Sequence, residues 1–321
     1  MRNLMVAVLG EPNYASNMAK RGTSTDITLY NLKKDENTIT FIEPTRYPER
    51  LAPLFFACSV AQKAIVVINE LNSTLGEILV MLQCCGIHEG YFVLRNYIPR
   101  EKVEPLIRGT NLEKYEFVAD DPVTLREKLL EETKIKPQKM NAERSTGIVL
   151  VDHSFNVKGI GTVILGVVMK GQIRKYDVMN VLPGSKTTQI RSIQKFDEEF
   201  DFAYAGDRVG LALKNIDVAE VDRGTVLTND NEVKTLKILK TQATLVKYWQ
   251  TPLKAGMVVH LGHWMQFING KVEAISNGES WREPTITLAF EKELVYCSGE
   301  VAVLTQLEGG KLRVAGTIGL P

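Results

Sequence analysis

Between residues 5 and 132, short runs of apolar, β-branched residues alternate with longer segments of helical period. Met5–Leu9, Thr38–Ile42, Ala64–Ile68 and Tyr91–Leu94 read as strands. Pro48–Gln62 places Leu51, Leu54, Phe55, Cys58 and Ala61 at intervals of three and four behind an early proline, which predicts an amphipathic helix. Thr74–Cys85 repeats the pattern with Leu75, Ile78, Leu79 and Leu82, and Val123–Glu132 predicts a third helix. Apolar strands alternating with amphipathic helices imply a mostly parallel sheet covered on both faces, an α/β domain.

The pattern changes after Lys134-Ile-Lys-Pro-Gln-Lys-Met-Asn-Ala-Glu-Arg144, a polar, proline-containing stretch without apolar period. From Ile148 onward, short β-branched runs are punctuated by Gly159, Gly161, Gly166, Gly171, Gly184, Gly206, Gly210 and Gly224, the texture of a sandwich or barrel. A second unit of this kind follows Asn229-Asp-Asn231, broken at Gly256, Gly262, Gly270 and Gly299. The expected domains are therefore 1–143, 144–231 and 232–321, one α/β domain followed by two β-barrels.

Composition narrows the picture only slightly. A chain of 321 residues, 44% apolar, can build several cores, and a net charge of +1 advertises no global affinity for nucleic acid. Any RNA contact must be local, and no DNA partner is expected. Four cysteines, two of them adjacent at Cys84 and Cys85, have no zinc or disulfide-framework spacing and read as thiols of a reducing compartment. His260 and His263 lie three apart with no carboxylate or cysteine near them in sequence, so no metal site is expected. The apolar stretch Leu4–Leu9 is too short for a signal peptide, and no run reaches the ~18 residues of a membrane span. The expected location is the cytoplasm.

The most informative segment runs Ser154-Phe-Asn-Val-Lys-Gly-Ile-Gly-Thr-Val-Ile-Leu-Gly-Val-Val-Met-Lys-Gly-Gln-Ile-Arg-Lys-Tyr-Asp177. It is followed by Ile190-Arg-Ser-Ile-Gln194, Ala205-Gly-Asp-Arg-Val-Gly-Leu-Ala-Leu213 and Arg223-Gly-Thr-Val-Leu227. Taken by themselves these blocks describe a glycine-bent barrel. Their order and spacing resemble the second domain of translational GTPases of the EF-Tu/SelB kind. In that family the barrel receives the aminoacylated 3′ end of tRNA, which implies a pocket at Phe155, Val157, Val163, Gln194, Phe196 and Arg208. An apolar floor with one amide and one guanidinium suits a stacked base and a polar group. Some family members carry a carboxylate at the position of Gln194 and a histidine at that of Phe196. Arg208 resembles an arginine that faces an unusual aminoacyl group in SelB; an intramolecular ion pair is the other fate open to it.

Compared with the same family, the N-terminal domain is a P-loop-NTPase-like fold in which the nucleotide motifs are degenerate. A P-loop needs G-x-x-x-x-G-K-[ST], whose lysine neutralises phosphate and whose hydroxyl binds magnesium. Here Gly10-Glu-Pro-Asn-Tyr-Ala-Ser16-Asn17 keeps only Gly10, with Ser16 in the lysine position and Asn17 in that of the hydroxyl residue. Lys20-Arg-Gly-Thr-Ser-Thr-Asp26 resembles the switch sequence, with Ser24 at its threonine. Thr40-Phe-Ile-Glu-Pro-Thr-Arg-Tyr47 stands at D-x-P-G-H, so Glu43 replaces the aspartate and Tyr47 the water-positioning histidine. Arg95-Asn96-Tyr97-Ile98 stands at N-K-x-D, with Ile98 in place of the base-reading carboxylate.

The last domain resembles the closing barrel of EF-Tu through Cys297–Leu304 and Lys311–Gly319, and Arg313 is its candidate tRNA stem contact. The basic and aromatic clusters Lys247-Tyr-Trp249 and His260–Trp264 leave two readings open, stacking on RNA and barrel core, of which core is the commoner for aromatics in a barrel. The resemblance implies a non-enzymatic, SelB-like pseudo-GTPase that binds aminoacyl-tRNA through its barrels, with no cofactor and with the ribosome as a candidate second partner. Two alternatives stay open: a divergent GTPase that takes GTP and Mg²⁺ by another route, and an adaptor acting through protein contacts alone. The short loops resemble archaeal SelB-like proteins more than bacterial EF-Tu. With Pro321 close behind the last barrel, a dedicated role in selenocysteine decoding is not expected.

Overall fold

The structure is a computed structural model and describes residues 2–135, 146–276, 278, 280–308 and 310–321. The expected boundary at 143/144 lies outside the described residues. Residue contacts gather the chain into two compact units. One holds the N-terminal domain with 244–251 and 303–317, and the other holds the middle barrel with 252–302 and 318–321.

The N-terminal domain runs β1 (Arg2–Leu9), β2 (Lys20–Ser24), β3 (Thr28–Lys34), β4 (Asn37–Glu43), α1 (Ala52–Ser59), β5 (Lys63–Ile68), α2 (Ser73–Cys84), β6 (Gly90–Leu94), α3 (Arg100–Ile107), β7 (Glu116–Val118) and α4 (Pro122–Ile135). Its seven-stranded sheet has the order β2-β3-β4-β1-β5-β6-β7, parallel from β4 to β7 and antiparallel across β2, β3 and β4. Strands β1 and β5 are apolar along almost their whole length because both faces are covered. On one face Val6, Val8, Tyr30, Phe41, Ile65 and Val93 pack with Leu125 and Leu129 of α4.

Two of the helix starts carry side-chain caps. Asn72 accepts the N–H of Leu75 at 3.0 Å ahead of α2, and Asp121 accepts those of Val123 and Thr124 ahead of α4. The helix expected over Pro48–Gln62 is shorter, because residues 44–51 are used in turns such as Tyr47 N–H to Pro44 O. Helix α3 escaped the hydrophobic pattern, since only Val103 and Ile107 of its eight residues are buried. Helix α4 runs to Ile135, into the segment expected to be linker. Between β1 and β2 the chain makes only a four-residue 3-10 turn, Tyr14–Asn17, where a P-loop would continue into a full helix.

The middle barrel contains β8 (Gly147–Val157), β9 (Gly161–Arg174), β10 (Val178–Leu182), β11 (Lys186–Lys195), β12 (Glu198–Phe200), β13 (Phe202–Tyr204), β14 (Arg208–Lys214) and β15 (Val226–Thr228). Six strands in the order β10-β15-β8-β9-β14-β11 are closed by β10 pairing with β11, while β12 and β13 add to β11 and β9. Val149, Ile164, Val168, Ile193 and Leu211 fill it. The last barrel is also closed and six-stranded: β16 (Val233–Leu245), β17 (Val258–His263), β18 (Gln266–Ser276), β19 (Thr285–Cys297), β20 (Val301–Thr305) and β21 (Val314–Gly319), in the order β16-β19-β18-β17-β20-β21. No helix among the described residues is long and apolar enough to cross a membrane.

Candidate functional site

The loop after β1 is shaped by a side chain from the end of β4. Glu43, 5% exposed, accepts the backbone N–H of Ala15 at 2.7 Å through Oε1 and that of Asn13 at 3.0 Å through Oε2. Tyr30 donates its hydroxyl to Oε2 at 3.1 Å. Burial raises the Glu43 carboxyl above its ordinary value, and the two amides and the Tyr30 hydroxyl pull it back part of the way. Burial, and then the neighbouring Glu43, push the Tyr30 hydroxyl up to about 12.

Gly10 has φ +93°, and a Cβ there would lie 2.1 Å from Val67 O, so close packing on β5 by itself requires glycine. Ser16 donates to Asn13 O at 2.6 Å, and Asn17 donates to Tyr14 O at 3.3 Å. Ser24 ends the edge strand β2, with its Oγ 2.9 Å from Thr28 Oγ1. Tyr47 donates to Thr74 O at 3.0 Å. Gly10, Glu43 and Tyr47 thus line one cleft of 150 Å³, smaller than the roughly 300–1,000 Å³ of ordinary small-molecule sites.

A second network lies at Arg95–Ile98, where the resemblance set the base-reading motif. Arg95 forks onto Asp120 at 2.7 and 3.3 Å, lies over the Tyr14 ring at 5.3 Å and has Glu11 at 3.6 Å. Tyr14 donates to Asp120 at 3.1 Å. Asn96 donates to Asn69 O, and Asn69 donates to Glu11 at 2.6 Å. Ile98 is half-buried in the turn that follows, its N–H on Arg95 O. The contributions of Arg95, Tyr14 and Asp120 were not foreseen; the only signal in the sequence was an arginine at the start of the base-reading motif.

In the middle barrel, the register of β8, β9, β14 and β11 sets two rows on the outer face. Phe155 lies opposite Val163, Val163 opposite Ala212 and Ala212 opposite Ser192. His153 lies opposite Leu165, Leu165 opposite Gly210 and Gly210 opposite Gln194. Val157, two residues further along β8 and opposite Gly161, lies on the same face. Alternation puts Val209, Leu211 and Leu213 in the core and leaves Gly210 and Ala212 as a shallow floor. The His153 and Phe155 rings sit 5.7 Å apart.

Five of the six expected pocket residues therefore share this face. Phe196 does not lie in the rows; with Asp197 it forms the two-residue turn from β11 to β12, both at positive φ. Arg208 is on the face, but its guanidinium is bound bidentately by Asp152, one contact being Nη2 to Oδ1 at 3.0 Å. The ion pair left open for it is thus formed, and Asp152, 56 positions away in sequence, could not be read from the chain. Beside it Lys195 and Asp207 make a buried ion pair at 3.0 Å.

Arg313 donates to the buried Glu77 of α2 from its backbone N, Nε and Nη2, at 2.8, 3.1 and 2.6 Å. Its guanidinium is engaged inside the protein rather than displayed on the surface. Among the described residues no three His, Cys, Asp or Glu side chains gather as a metal site.

An α/β domain followed by two six-stranded barrels, the first with an open apolar face, defines the three-domain architecture of SelB/EF-Tu-like translation factors. A family model described as elongation factor Tu domain 2 matches residues 161–228. The chain is 35% identical to the uncharacterized protein MJ0325 of Methanocaldococcus jannaschii, over 98% of its own length and 99% of that protein, and it belongs to the same SelB/EF-Tu-related family. It is 25% identical to the selenocysteine-specific elongation factor of that organism, over 83% of this chain and 61% of the factor. In fold it is similar to translation elongation factor SelB of Methanococcus maripaludis. The apo form gives a TM-score of 0.79 at 22% identity, and the complex with the GTP analogue GppNHp gives 0.81 at 21%. Each match covers 100% of this chain, and 80% and 79% of SelB respectively.

Proposed function

We propose that this protein is an elongation-factor-like pseudo-GTPase that holds aminoacyl-tRNA, or a tRNA-like 3′ end, through its barrels. The observation that carries the first half is the Glu43 carboxylate on the amides of Asn13 and Ala15. Backbone amides in such a loop attract anions, and a helix N-terminus behind them adds to the attraction. Here a tethered carboxylate already occupies two of the amides, the helix is reduced to one 3-10 turn, and Glu11 engages the nearby Arg95 guanidinium. A nucleotide phosphate would have to displace Glu43, with no lysine in the loop to offset the repulsion. At the other end, Arg95, Tyr14 and Asp120 satisfy one another where a base would be read.

The second half rests on the outer face of the middle barrel, an apolar floor ringed by Phe155, His153 and Gln194, and on the relationship to selenocysteine-specific elongation factors. A base stacked on an aromatic ring contributes about 1–3 kcal/mol. Calorimetry with GTP, GDP and ATP in magnesium should give no binding, and a micromolar dissociation constant for any of them overturns the pseudo-GTPase assignment. Filter binding should give a complex with charged tRNA that weakens with salt and requires the aminoacyl group. Ribosome co-sedimentation without any tRNA dependence would instead support an adaptor.

A further inference from the structure

Strands β1, β5, β6 and β7 are parallel neighbours, so the loops behind Leu9, Ile68, Leu94 and Val118 open on one edge of the sheet. In α/β sheets this carboxyl edge is where ligands sit. The loops bring Glu11, Glu70, Asp120 and Asp121 to it, and Arg95 is the cation they carry. Arg100, at the start of α3, is turned to Glu104 at 2.6 Å and to the Phe117 ring at 4.7 Å. The edge therefore keeps a negative charge with Arg95 in place, and it attracts further cations.

Arg95 is held as a ligand would be. Its Nε and Nη2 fork onto the two oxygens of Asp120 at 2.7 and 3.3 Å, its guanidinium lies over the Tyr14 ring at 5.3 Å, and Glu11 is 3.6 Å from Nη1. A flat aromatic face beside a forked carboxylate is guanidinium-recognition chemistry. The walls have anchors of their own. Tyr14 is 1% exposed, packs in the domain core and donates to Asp120 at 3.1 Å, while Asn69 donates to Glu11 at 2.6 Å. The guanidinium is the accessible part: the side chains of Arg95 and Asp120 are 29% and 34% exposed. Ion pairs with this much exposure contribute little, so exchanging one guanidinium for another costs little.

We infer that Tyr14, Asp120 and Glu11 form a guanidinium-binding site that Arg95 closes as an internal ligand, and that an arginine side chain of a partner protein competes with Arg95 for it. The inference rests on the pseudo-GTPase reading, since it gives the base-reading end a ligand other than a nucleotide. A lysine would not serve, because an ammonium cannot fork onto a carboxylate or lie flat on a ring.

The test follows thermal melts of the full-length protein at fixed ionic strength. Arg95→Ala should lower the melting temperature, and about 20 mM methylguanidinium or acetylargininamide should restore at least about 2 °C of it. The parent, closed by its own arginine, should move by less than about 0.5 °C, and acetyllysinamide should move neither protein by more than that. Asp120→Asn in the Arg95→Ala background should abolish the restoration. Arg95→Gln is the second variant if Arg95→Ala does not fold. Restoration by acetylargininamide at least equal to that by methylguanidinium supports a side chain as the competitor; restoration by methylguanidinium alone overturns that half and leaves a small free guanidinium as the ligand. Equal effects of the lysine and arginine analogues, persistence in the Asp120→Asn double variant, or no restoration at all overturns the inference. Calorimetry with GTP and GDP reads the pseudo-GTPase assignment separately, so the two can fail independently.

Discussion

Glu43 accepts the backbone N–H of Ala15 at 2.7 Å across 28 residues of sequence, closing the first loop of the N-terminal domain on a carboxylate from β4. Its carboxyl titrates above the ordinary 4.5, chiefly because burial disfavours the charged form. The folded protein therefore holds that proton more readily than the unfolded chain does. The stabilisation this gives is complete below about pH 4.5 and is lost as pH rises through the folded value. Urea denaturation of the parent and Glu43→Gln between about pH 4 and pH 8 should show the parent losing stability relative to the variant as pH rises. A constant difference across the series would contradict this.

Gly10→Ala should destabilise the protein by at least about 2 kcal/mol, because it combines a positive φ with a Cβ 2.1 Å from Val67 O. The loss should appear equally with and without nucleotide, since the glycine serves the packing of the loop on β5. Thermal melts in the presence and absence of GTP read this directly.

Arg313 is the charged partner of a Glu77 side chain that is 3% exposed. Arg313→Ala leaves that carboxylate buried without its cation and should cost about 3–5 kcal/mol in chemical denaturation. The double change Glu77→Leu with Arg313→Leu should recover most of the loss, since two apolar side chains need no partner. Failure of the double variant to recover would mean that the pair holds more than its own charges.

Phe155→Ala removes a half-exposed ring from the barrel face and should weaken charged-tRNA binding by about 1–3 kcal/mol. Stability should fall by less than about 1 kcal/mol, because the ring lies on the outer face and the core residues Val149, Val151 and Ile164 are untouched. Fluorescence titration together with a melt separates the two effects. Equal losses in both would assign Phe155 to the fold alone.

Local pattern made much of this fold legible. The strands at Met5–Leu9 and Ala64–Ile68 are continuous apolar runs and the helix at Thr74–Cys85 has a clear helical period, and the structure has β1, β5 and α2 there. Elements with few buried positions were not legible. Helix α3 buries two side chains and carries Pro105, and β7 has only three residues. The positions that the resemblance implied for a pocket, Phe155, Val157, Val163, Gln194 and Arg208, are set on one face by the register of β8, β9, β14 and β11, which no local pattern reveals.

The sequence by itself determined the α/β-then-barrel order and the residue types standing at Ser16 and Ile98, because each is a matter of residue type at a spacing. Only the tertiary structure decided what occupies those places and which charges are neutralised. Glu43 on Ala15, Asp152 on Arg208 and Glu77 on Arg313 join positions 28, 56 and 236 residues apart. Such pairs depend on strand register, bulges and the meeting of distant segments. Burial makes each one consequential, since a carboxylate removed from water must find its donors wherever the folded chain places them.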